Sequence, residues 1–174
     1  VVNCPDKPSN GVYFFENVSG DTAKTKMPVF KAGIRISQGL QDVQVSQVAG
    51  QPRVLTPGYE YPDFRNTGLA QPRPLPIGTK VHPNKPRANL WRYLDYDGDG
   101  VMDLIVGVGD GTDYGWDNAF DAAGRWTNGP IHGYVYFVRN TGTTANPGYD
   151  QPIKVMAGAK PAEVYGWPFP RFAD

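Results

Sequence analysis

One segment that occurs twice constrains this chain more than any other feature. GVYFFENVSG (11–20) aligns with YVYFVRNTGT (134–143), which places Val12, Tyr13, Phe14 and Asn17 on Val135, Tyr136, Phe137 and Asn140. A second match follows each copy, PVFKAGIRI (28–36) against PGYDQPIKV (147–155), and the opening VVNC lies where IVGV (105–108) precedes the other copy. The same parts in the same order describe one supersecondary unit used more than once. The tail adds the start of another, because PRFAD (170–174) resembles WRYLD (91–95). The expected organisation is the back part of one unit in residues 1–36, a long loop excursion in 37–89, a whole unit in 90–156, and a crossing with the first strand of the next unit in 157–174.

Within the whole unit, alternation and β-branched or aromatic enrichment predict strands over Leu90–Leu94, Val101–Val108, Gly133–Asn140 and Tyr149–Met156. No stretch has capped helical periodicity, although DNAFDAAGRW (117–126) has room for a turn or two. The class is therefore all-β. The 21 glycines and 17 prolines call for many turns, while 13% aromatic residues supply too much apolar surface for a disordered chain. Seventeen basic residues against 17 acidic ones leave no footprint for nucleic acid or an anionic membrane. No apolar run reaches the length of a membrane span. The single cysteine, Cys4, excludes an internal disulfide framework and is expected as a structural, buried thiol.

Charge is concentrated in LDYDGDGVMDLIVG (94–107). Asp95, Asp97 and Asp99 alternate with Gly98 and Gly100, so a tight loop can turn several carboxylates toward one centre. Such crowding calls for a hard, oxygen-seeking cation. Asp103 is placed to close the site, the Val101 carbonyl to supply a backbone oxygen, and calcium is the expected ion. An EF-hand would need a glutamate at the twelfth position, which is Val106, and helices on both sides.

DYDGDGVMDLIVG, then GYVYFVRNTGT, then NPGYDQPIKV resembles a VCBS or FG-GAP-type repeat. Literal FG and GAP motifs are missing, which brings it nearer the VCBS-like branch than the integrin α-subunit branch. The likeness covers nearly all of the chain except residues 37–89. It implies a β-propeller of four-stranded antiparallel blades, of which the chain would hold about one and a half, with the remaining blades of the same propeller as partners. Asp95, Asp97, Asp99, Val101 and Asp103 would inherit the calcium hairpin between the first two strands of a blade. Calcium loops of this kind imply a secreted, periplasmic or cell-surface location. The resemblance extends to the scaffolds of secreted polysaccharide lyases and related sugar-cleaving enzymes.

Chemistry is expected on the loops opposite that hairpin. GDGTDYGWDNAFDAAGRWTNGPIH holds Asp110, Asp113, Tyr114, Trp116, Asp117, Asp121, Arg125, Trp126 and His132; the excursion adds Tyr59, Tyr61, Arg65, His82, Lys85 and Arg87; AKPAEVYGWPFP adds Glu163, Tyr165 and Trp167. Aromatics beside carboxylates suit sugars, whose ring faces stack while hydroxyls hydrogen-bond; Trp116, Trp126 and Trp167 with Asp113 and Asp117 are the candidate substrate-binding set. A lyase acting on uronate polysaccharide needs a base (His132 or His82), a cation to neutralise the carboxylate (Arg87 or Arg125) and an acid (Tyr114 or Tyr165). A glycoside hydrolase would instead draw two carboxylates from Asp113, Asp117, Asp121 and Glu163. A non-catalytic propeller binding glycans or proteins would use the same aromatics without a tuned base.

Overall fold

A computed structural model describes residues 1–4, 6–20, 24, 26–77, 81, 88–109, 120–127 and 132–172. The first sheet is an antiparallel β1 (Val2–Cys4), β2 (Gly11–Phe14) and β3 (Ile34–Ser37), in that order. The second is a four-stranded meander of β4 (Gln44–Val48), β5 (Gln51–Thr56), β6 (Tyr59–Tyr61) and β7 (Arg73–Pro74), with a single-turn helix α1 (Phe64–Thr67) before β7. The third runs β8 (Ala88–Leu94), β9 (Asp103–Gly109), β10 (His132–Val138) and β11 (Ile153–Lys154). A small hairpin of β12 (Met156–Ala157) and β13 (Lys160–Pro161) follows, and β14 (Glu163–Tyr165) then returns to pair with β10. The molecule is all-β, built of several antiparallel sheets, none of which closes on itself.

The internal repeat is reproduced pair by pair. Val2 opposes Tyr13 as Val106 opposes Tyr136, and Tyr13 opposes Arg35 as Tyr136 opposes Lys154. The isolated bridge Asn17–Phe30 has its counterpart in Asn140–Tyr149. The amides of Ser19 and Gly142 donate to the side-chain oxygens of Asn17 and Asn140, at 2.9 and 3.0 Å. Asparagine at this position fixes the turn that leads from β2 to β3 and from β10 to β11, by bonding the backbone two residues on.

The central sheet corrects the expectation of a loop over residues 37–89. Its turns are legible in chemical terms. Ala49 and Gly50 both have positive φ (50° and 73°) between paired Val48 and Gln51, a two-residue hairpin loop of the kind whose twist matches its strands. Pro57 and Gly58 (φ 80°) join Thr56 to Tyr59 in the Pro-Gly arrangement of a tight turn.

The three sheets stack face to face, and alternation along β5 shows how. Val54 packs with Val12, Tyr61, Phe64 and Leu69 on the side of the first sheet. Its neighbour Leu55 packs with Leu75, Trp91, Leu104, Val106, Val108, Tyr136 and Val138 on the side of the third. Successive residues of a strand point to opposite faces, so one strand serves two cores. Both are well sealed, with Val54, Leu55, Trp91, Val106 and Val138 fully buried. Tyr61, expected on a ligand-facing loop, is buried in the first of these cores. Arg65 lies over the Phe14 ring, 5.9 Å from its centroid. Cys4 is half-buried and free.

The segment after β14 crosses the far face of the third sheet. It does so over Gly107, Gly109 and Gly133, where a Cβ would run into the backbone of Gly166 and Pro168. These glycines are required by close approach rather than by φ. Beyond them Phe172 reaches Tyr96, which itself packs on Phe137 with ring centroids 4.7 Å apart. Among the described residues, no helix is long and apolar enough to cross a membrane.

Candidate functional site

The acidic loop joins β8 to β9, and backbone geometry explains its form. Gly98 (φ 77°) and Gly100 (φ 85°) take left-handed conformations, and each donates its amide to Asp95, to Oδ1 at 2.9 Å and Oδ2 at 3.0 Å. Val101 donates to Asp99 Oδ1 at 2.8 Å and Asp99 to Asp97 Oδ1 at 3.3 Å. The outcome is that Asp95, Asp97 and Asp99 each place a carboxylate oxygen within 4.8 Å of the others. Such a triad has the oxygen donor set a hard cation takes, so it could hold a metal ion.

Asp103 plays a different part from its three neighbours. It is fully buried, its Oδ1 accepts from the Asn140 amide at 2.7 Å and its Oδ2 from the Tyr96 amide at 3.1 Å. It ties the acidic loop to the β10 end of the sheet. Burial raises its carboxyl above the usual range, with the charges of Asp97 and Asp99 adding to the rise and the two amides opposing it. Arg139 was not singled out by sequence, yet its Nε lies 2.9 Å from Asp97 Oδ2 and its Nη2 3.6 Å from Asp99 Oδ2. It supplies part of the positive charge that the triad needs.

A second polar cluster, also missed by sequence reasoning, sits between the central and third sheets. Glu60 is fully buried; its Oε2 lies 3.0 Å from Arg53 Nη1 and accepts from the Tyr93 hydroxyl at 3.1 Å, while Oε1 faces Arg73. Tyr93 and Tyr149 share a hydrogen bond, and burial pushes both hydroxyls up, that of Tyr149 to about 12. Arg92 Nη2 to Gln44 Oε1 (2.7 Å) and the Tyr93 amide to Ser46 Oγ (3.0 Å) complete the seam. Its groups are paired with one another, which suits a structural joint.

The third cluster lies at the rim where β10 begins. Glu163 opposes Tyr134 and Tyr165 opposes His132, so these four side chains share one face of the sheet. His132 Nδ1 is bonded to Glu163 Oε1. The imidazole stacks on Tyr134, with centroids 5.7 Å apart and planes inclined by 11°. Tyr165 is 75% exposed and Trp167 48%. An imidazole held through Nδ1 leaves Nε2 directed elsewhere, the arrangement of an oriented general base.

Arg125 is drawn into a local turn. Its Nε donates to Asp121 Oδ2 at 2.8 Å, and Asp121 Oδ1 takes the amides of Ala123 and Arg125, the latter chief among the bonds that hold this carboxyl below its usual range. Trp126 faces Phe120 across the same turn, ring centroids 5.4 Å apart. His82, Lys85, Arg87, Asp110, Asp113, Tyr114, Trp116 and Asp117 lie outside the described residues. No family model, curated protein or solved structure matches the chain.

Proposed function

We propose that this chain is part of a calcium-stabilised β-propeller in a secreted protein that acts on polysaccharide, with lyase-type β-elimination as its chemistry. The propeller reading is supported by antiparallel sheets stacked face to face and by repeats that agree residue by residue in register. Asp95, Asp97 and Asp99 would hold the calcium, which would lock the β8–β9 hairpin and contribute its binding free energy to folding.

The observation that carries the catalytic part is His132 bonded through Nδ1 to Glu163, with Tyr165 directly opposite on the neighbouring strand. In the proposed step, His132 Nε2 takes the proton on the carbon beside a uronate carboxylate. The released electron pair forms a carbon–carbon double bond, the adjacent C–O bond breaks, and the departing oxygen takes a proton from the Tyr165 hydroxyl. Water then restores both protonation states.

The hydrolase reading has less support, because its candidates among the described residues are already engaged, Asp121 in its turn and Glu163 with His132. A glycan-binding role without catalysis is favoured by one observation, the exposure of Tyr165, Trp167 and Phe169 on consecutive odd positions.

The test follows ultraviolet absorbance of unsaturated ends and new reducing ends on uronate and neutral polysaccharides. Wild-type protein should generate both signals on uronate polymers, and His132→Ala should lower turnover by roughly 10²–10⁴-fold. Reducing ends without absorbance would favour hydrolysis. Full turnover in His132→Ala would remove this histidine as base.

A further inference from the structure

We propose that Lys154 recognises the carboxylate of an acidic sugar at the His132 rim, a role that the sequence had offered to Arg125 or Arg87. The inference rests on the reading of that rim as a carbohydrate site and adds the group that sets its charge preference.

Lys154 opposes Tyr136 on β10, so it shares the face that carries His132 and Tyr134. Its Nζ lies 3.4 Å from the centroid of the Tyr134 ring, and that same ring stacks on the imidazole of His132. One aromatic ring therefore fixes the positions of both an ammonium and the candidate base. Contact with a ring quadrupole holds a cation in place without neutralising it. Among the described residues, Lys154 has no carboxylate partner: Glu163 is taken by His132 Nδ1, and Asp150 and Asp121 are not paired with it. Arg35, at the equivalent register position of the first sheet, donates instead to the Asn10 carbonyl at 2.6 Å.

Arg125 fits the role less well. It is bonded to Asp121 within its own turn, so its charge is already answered. An ammonium with three donors and no counter-ion among the described residues, beside an oriented imidazole and a 75% exposed Tyr165, suits a ligand that is both a sugar and an anion. The carboxylate would meet Lys154 while the sugar ring lay against the aromatic side chains.

The experiment measures binding by calorimetry on the His132→Gln variant, which keeps a donor for Glu163 and stops turnover. The probes are oligogalacturonate and the same oligomer with its carboxylates methyl-esterified. The acid should bind more tightly than the ester, and adding Lys154→Met should weaken the acid by roughly 10–100-fold, the worth of one charge-assisted bond, while leaving the ester unchanged. Lys154→Arg should restore most of the preference. An unchanged acid affinity in Lys154→Met, an equal loss for both oligomers, or no binding of either by the parent would overturn the proposal. The lyase reading stands or falls separately. Elimination that depends on His132 but not on Lys154 would keep that reading and sink this one. A charge preference lost in Lys154→Met, with no unsaturated product from wild-type protein, would do the reverse.

Discussion

Replacing Glu60 by alanine should be among the most damaging single changes outside the apolar cores. Its carboxylate is fully buried and meets Arg53, Arg73 and the Tyr93 hydroxyl, so the change strands two guanidinium groups and a hydroxyl at the joint between the sheets. Removing one member of a buried ion pair costs roughly 3–5 kcal/mol. The side chains of Arg53 and Arg73 keep 23% and 41% exposure, so water recovers part of that loss. A cost at the bottom of the range follows, about 3 kcal/mol. For a chain of this length it corresponds to a fall in Tm of roughly 6–12 °C. Glu60→Gln keeps an acceptor and should cost about half as much, roughly 1–2 kcal/mol. Urea unfolding of Glu60→Ala, Tyr93→Phe and the double variant would give a coupling of about 0.5–1.5 kcal/mol. A loss below about 1 kcal/mol in Glu60→Ala would refute the account, because the cluster would then be solvated in practice.

Calcium at 100 times its dissociation constant should raise stability by about 2.7 kcal/mol in wild-type protein and little in Asp97→Asn/Asp99→Asn, read as a chelator-sensitive shift in Tm; equal shifts in both would detach the ion from the triad. Gly133→Val should drive the Gly166–Pro168 segment off the sheet, at roughly 1–3 kcal/mol, and open it to limited proteolysis; an uncut segment would show that the crossing tolerates a side chain. The raised hydroxyls of Tyr93 and Tyr149 stay protonated in the fold after their unfolded counterparts ionise near pH 10, so stability present below pH 10 should fall as pH rises through about 12. Tyrosinate absorbance checks this, and two tyrosines titrating with the exposed ones while the protein stays folded would contradict it.

The repeat made the pairing of the first and third sheets legible in the sequence, because aligned letters became aligned partners such as Tyr13–Arg35 and Tyr136–Lys154. The central sheet escaped for a physical reason. Gln44, Ser46 and Arg53 occupy strand positions where apolar residues are looked for, and their partners Arg92, Tyr93 and Glu60 come from elsewhere in the chain. Polar letters that are satisfied only in three dimensions read as loop in one. The turn signals Ala49-Gly50 and Pro57-Gly58 were present and would have located the hairpins. The acidic triad was legible since glycine and aspartate spacing is local chemistry. Glu60, Arg139 and Lys154 were not, because Glu60 and Lys154 draw their meaning from partners on other strands and Arg139 from the acidic loop some forty residues before it. Arg139 carries the one available hint, since the aligned position in the first copy is Glu16 and the sign of the charge is reversed.

The edge of β10 is served by a strand in two pieces. Ile153–Lys154 covers one half and Glu163–Tyr165 the other, while the hairpin between them leaves the sheet and comes back, rejoined where the Ala162 amide donates to the Val155 carbonyl at 2.8 Å. Because the two pieces are registered by β10 itself, the length of the detour is decoupled from the alignment on either side. Adding residues at Gly158-Ala159 should cost only loop-closure entropy, about 0.6 kcal/mol for each doubling. This hairpin is thus a natural port for grafted sequence: a peptide or small domain could be carried there beside the His132 rim without moving a single ladder bond of the sheet that holds it.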